Sequence, residues 1–192
     1  MNQSALTAIV VVVAILAIGA LVLVFRKRRS QNLKERFGPE YDRAVQTRGN
    51  AAKAELELLN REKRVHRFSI KPLLPETRTR YVEAWSSVQR RFVDDPALAV
   101  TEADALVNRV MDERGYPMAE FDQRAADISV NHPRVVEDYR LARTIAQRHA
   151  RGAAGTEDLR QAMVYYRSLF DELLDLPKSA ATSTGVLHER AS

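Results

Sequence analysis

The hydrophobic pattern begins with an unbroken apolar run and then turns amphipathic. Residues 5–25 carry no charged side chain. As a helix this run would extend roughly 32 Å, enough to cross a hydrocarbon core of about 30 Å. It predicts a transmembrane helix, with Arg26, Lys27, Arg28 and Arg29 following it directly. After residue 40 the pattern is helical almost throughout. Ala52, Leu56 and Leu59 give a narrow stripe at helical spacing, and Gly49-Asn50 predicts a break into two helices. Phe68 to Pro75 holds two prolines among alternating apolar residues and predicts an extended link.

Better-marked helices follow. Pro75 suits the first turn of one that carries Tyr81, Trp85, Val88 and Phe92 on one face. Asp95 and Pro96 predict the cap and first position of the next, with Ala99, Ala103, Leu106, Val110 and Met111 inward and Gly115 as its stop. A short helix with Phe121, Ala125 and Ile128 comes next. A cap at Asn131 or His132 then opens a helix with Val135, Tyr139, Ala142 and Ile145, which Gly152 ends. Thr156 predicts the cap of a last helix facing inward through Leu159, Met163, Tyr166, Phe170 and Leu173, with Pro177 as its terminator. The fold class is all-α: an amino-terminal transmembrane helix, a helical stalk and an antiparallel helical bundle. The expected divisions are a transmembrane helix at 5–25, a basic juxtamembrane segment at 26–39, a stalk and link at 40–74, a bundle at 75–177 and a disordered tail at 178–192.

Charge sharpens this picture. Between Arg26 and Asn50 eight Lys/Arg stand against three Asp/Glu, whereas the rest of the chain is balanced at 22 of each. A nucleic-acid-binding domain would carry its basic patch on the folded part, so nucleic acid is not an expected partner. The excess lies where lipid headgroups would be, each basic residue being worth about 1 kcal/mol beside an anionic surface. The expected partners are the lipid bilayer, anionic lipids included, and a protein. The first four residues hold no Lys or Arg, so the positive-inside rule places the amino terminus outside and the remainder in the cytoplasm. A cleaved signal peptide would carry its charge before a shorter apolar run and end in small residues; here Val22, Leu23, Val24 and Phe25 are bulky. The chain has no cysteine, which excludes disulfides, thiolate metal sites and a cysteine nucleophile.

Several strings are distinctive together: Leu33 to Val45, built around Arg36-Phe37-Gly38-Pro39-Glu40-Tyr41-Asp42; Arg91 to Pro96; Arg114-Gly115-Tyr116-Pro117; Phe121 to Pro133; and Asp158 to Met163. With them the chain resembles an uncharacterised family of bacterial single-pass membrane-anchored helical proteins. The resemblance runs from Leu33 to about Leu174. It implies a bacterial inner-membrane setting and brings no catalytic residue.

No nucleotide-binding, zinc-protease or nucleophile-elbow motif occurs, so no catalytic residue, cofactor or metal is expected. Gly152 to Gly155 matches the shape of a nucleic-acid-clamping loop, but that loop belongs to a mixed helix–sheet fold; here it predicts a helix-to-helix turn. Arg26, Lys27, Arg28 and Arg29 are expected to set topology at the membrane surface. Phe37 and Tyr41 are candidates either for docking at the headgroup level or for local packing at a hinge. The one cluster suggestive of acid–base or metal chemistry is Asp127, His132, Glu137 and Asp138, with Asp94 and Asp95. Helix capping accounts for such residues more simply. The expected function is a membrane-tethered cytoplasmic helical interaction module. The alternatives are a membrane-anchored enzyme or metal site on the Asp127/His132/Glu137 region, and an outward-facing envelope protein.

Overall fold

The local signals convert directly into helices. The computed structural model describes residues 3–176, without the side chains of 3–12, 14 and 15. The helices are α1 (Gln3–Phe37), α2 (Pro39–Arg48), α3 (Ala51–Val65), α4 (Pro75–Asp94), α5 (Pro96–Arg114), α6 (Phe121–Asn131), α7 (Val136–Ala150) and α8 (Thr156–Leu173), and no strand occurs among the described residues. The Asn50 side chain caps α3 by accepting from the Ala52 N–H at 2.8 Å, and Asp95 caps α5 by accepting from the Leu98 N–H at 3.0 Å. The extended link between α3 and α4 docks on the end of α5, where the Lys71 N–H donates to the Arg114 carbonyl at 3.0 Å. Gly115 is required there twice over. Its φ is +92°, and a Cβ would stand 2.7 Å from the Ser69 carbonyl oxygen.

The hydrophobic faces pack into two clusters. In the larger, α5 lies against α4 and α8, and α7 packs on α8. Its centre holds Trp85, Leu106, Met111, Tyr139, Tyr166 and Phe170, and the inward faces of α4, α5 and α8 are those expected from spacing. The smaller cluster joins Leu33 and Phe37 of α1 to Tyr41 and Ala44 of α2 and to Ala54, Leu58 and Val65 of α3. Helix α6 belongs to both, with Ala125 and Ile128 in the first and Val130 in the second.

Four expectations change. Residues 40–65 form no free-standing stalk but a packed layer, closed by α1 on one side and α6 on the other. The buried stripe of α3 is Ala54, Leu58 and Val65, while Leu56 is exposed. The cap before Pro133 is not formed: α7 begins at Val136 without a side-chain cap, and His132 instead closes α6 through its backbone N–H to the Ile128 carbonyl. Thr156 lies inside the first turn of α8, and that end is held by Asp158, which accepts from the Gly155 N–H at 2.9 Å. Pro177 and the expected tail at 178–192 lie outside the described residues.

Helix α1 contains the apolar run at 5–25, and much of that run falls among residues whose side chains are not described. Among the described residues no helix is long and apolar enough to cross a membrane.

Candidate functional site

Asp127, His132 and Glu137 are drawn to separate sets of partners. Asp127 is almost fully buried and accepts from Arg64 Nε at 3.1 Å and from Gln123 Nε2 at 2.8 Å. The His132 Nδ1 lies 3.4 Å from Glu172 on α8. Glu137 is half-exposed, 3.6 Å from Arg43 and 3.5 Å from Arg140. Among the described residues no three His, Asp or Glu side chains stand close enough together to hold a metal ion. The sequence brings these residues near one another along the chain, but the turn between α6 and α7 sends each to a separate arginine or carboxylate.

His132 nevertheless carries a pH signature. Burial holds its imidazole below the ordinary value, and the Glu172 carboxylate only partly offsets this. The unfolded chain therefore binds a proton that the folded chain does not, in the window from about 6.5 down to the lowered folded value. Stability from this group is complete above about 6.5 and falls as the pH drops through that window. Urea midpoints measured across it should decline toward acid in the native protein and decline less in His132→Gln. Equal slopes in the two proteins would assign the acid sensitivity to other groups.

The strongest polar constellation is one that spacing along the chain does not reveal. Glu40, in the first turn of α2, is 2% exposed. Its carboxylate accepts from Arg61 of α3 at 2.6 Å and from both terminal nitrogens of Arg140 of α7 at 2.6 and 2.9 Å. Arg61 also reaches Ser129 of α6 at 3.3 Å and pairs with Glu57, so Glu40 and its two arginines together link four helices. Burial works against ionising Glu57, but hydrogen bonds from Arg48 and Arg61 outweigh it and hold the carboxyl below its ordinary value. The signal in the sequence was only that Glu40 follows Gly38-Pro39 at a helix start, where an acid suits the dipole.

Phe37 and Tyr41, the candidates for docking, are both buried, at 0% and 7% exposure. They pack inside the smaller cluster, and the Tyr41 hydroxyl donates to Glu55 at 3.1 Å. Neither ring is presented to a lipid or a partner, and the local-packing alternative describes them. The basic residues Arg26, Lys27, Arg28 and Arg29 lie on the exposed continuation of α1, without a helix break after Phe25.

An apolar surface feature lies between α4 and α8. A cavity of about 280 Å³ is lined by Trp85, Gln89, Phe92, Met163 and Val164, together with Arg160 and Arg167. Val93, which follows Phe92 on α4, is 84% exposed. Deeper in the bundle, burial pushes the Tyr139 phenol up to about 12, and burial with the nearby Asp104 carboxylate pushes Tyr166 up further. Both phenols are therefore neutral core groups at physiological pH.

No protein-family model, curated protein or solved structure matches this chain.

Proposed function

We propose that this protein is a membrane-tethered helical scaffold: residues 5–25 span the bacterial inner membrane, and the helical body holds a protein partner at the cytoplasmic face. The observation that carries the proposal is the continuity of α1. The helix that contains the apolar run extends without interruption to Phe37, and its last turns supply Leu33 and Phe37 to the smaller hydrophobic cluster. A span built this way would be coupled rigidly to the body, which would fix the orientation of any bound partner. The apolar cavity between α4 and α8, with two arginines among its lining, is the surface best suited to that partner.

Membranes containing the full chain should retain it after washing in alkaline carbonate. A fluorescent reporter fused to the carboxyl end should be active, as expected of a cytoplasmic terminus. Release of the chain by carbonate, or recovery of a mature chain beginning beyond the apolar run, would end the anchor proposal. A reporter active only outside the membrane would reverse the orientation.

A further inference from the structure

The membrane-proximal end of the body contains a second, chemically different cavity, of about 450 Å³, between α1 and α3. Spacings of three and four residues place Phe25, Arg28, Arg29, Asn32, Leu33 and Arg36 on one face of α1. Leu59 and Glu62 of α3 form the opposite wall. The two walls differ in kind from end to end. Leu33 is buried and Leu59 half-buried, giving an apolar floor. Arg36 is already committed to Glu62, which neutralises the end nearest the body. Arg28 and Arg29 line the other end, and among the described residues neither has a carboxylate within ion-pair distance. Asn32 adds an amide one turn further along, and Phe25, exposed at the mouth, is the last residue of the apolar run.

We infer that this cavity binds the headgroup of one anionic phospholipid, its phosphate held by Arg28, Arg29 and Asn32 and its acyl chains lying along Phe25. The inference rests on the anchor proposal, because residue 25 must lie at the bilayer boundary for the acyl chains to follow it. Arginine suits this role because its planar fork can donate two hydrogen bonds to one phosphate. The arrangement also distinguishes a site from a diffuse basic flank. Lys27 and Lys34 carry the same charge but point to the opposite side of α1, away from the cavity, because each residue turns the helix by about 100°.

That pair supplies the control. The full chain, in nanodiscs of phosphatidylcholine containing phosphatidylglycerol, is released into a mass spectrometer under conditions that preserve bound lipid. One phosphatidylglycerol should be retained per chain. The double variant Arg28→Gln/Arg29→Gln should reduce that retention about tenfold or more. Lys27→Gln/Lys34→Gln, with the same loss of charge, should leave it within about twofold. Asn32→Leu, which keeps every charge, should lower it several-fold. Millimolar inorganic phosphate should not displace the lipid; displacement would show a site for free phosphate and overturn the lipid assignment. Equal losses in the two charge variants would show bulk attraction and overturn it as well. A chain that enters nanodiscs but retains no phosphatidylglycerol ends this inference alone. A chain that fails to enter them ends the anchor proposal and the inference with it.

Discussion

Trp85→Ala should lower the free energy of unfolding by about 3–5 kcal/mol. The indole is 1% exposed and stacks on Phe170 with ring centroids 4.7 Å apart and an interplanar angle of 27°. The Arg167 guanidinium lies 5.7 Å from the ring centroid. Truncation would remove the largest side chain at the α4–α8 seam and leave a void that rigid helices on both sides cannot collapse. Urea unfolding of the full chain in mild detergent, followed by circular dichroism, measures the loss. A loss below about 1 kcal/mol would mean that the ring serves the neighbouring apolar cavity more than the core.

Glu40→Gln should cost about 3 kcal/mol, out of proportion to a change that removes one charge and almost no volume. The arginines it serves are mostly buried, at 14% and 13% side-chain exposure; Arg140 would lose its closest carboxylate and Arg61 one of its two. Arg61 keeps Glu57 and Arg140 keeps Glu137, which places the cost at the low end for a broken buried pair. Trp85, the single tryptophan, reports unfolding of the bundle by its fluorescence. If Arg140→Met is added to Glu40→Gln, part of the loss should return, because the second change removes one of the two stranded cations. A Glu40→Gln chain as stable as the native one would show that solvent reaches these arginines and replaces the carboxylate.

The two sites differ in how far the sequence reveals them. Trp85 shares a helical face with Tyr81, Val88 and Phe92, and that periodicity, being local, already points inward. Glu40 gave no such hint: its two arginines lie 21 and 100 residues further on, a pairing that no spacing rule reaches. Phe37 and Tyr41 were legible as unusual, but the choice between docking and packing depended on whether α3 folds back over them. Leu56 shows the same limit in reverse. Apolar residues at 52, 54, 56, 58 and 59 allow more than one face of α3 to turn inward, and contact with α2 and α6 selects Ala54 and Leu58.

What the sequence by itself determined is whatever depends on neighbours within a turn or two of helix. That covers the all-helical class, the Asp95 cap with Pro96 behind it, the stop at Gly115, and the inward faces of α4, α5 and α8. It also covers the uncharged run at 5–25 and the four basic residues beyond it. Tertiary structure alone decided that residues 40–65 form a packed layer, that Glu40 gathers arginines from two distant helices, and that Asp127, His132 and Glu137 part company. The physical reason is range. Helix propensity, capping and periodicity act over a few residues of backbone, whereas the partner of a buried charge and the face that an ambiguous helix turns inward are set only when distant segments meet and water is excluded between them.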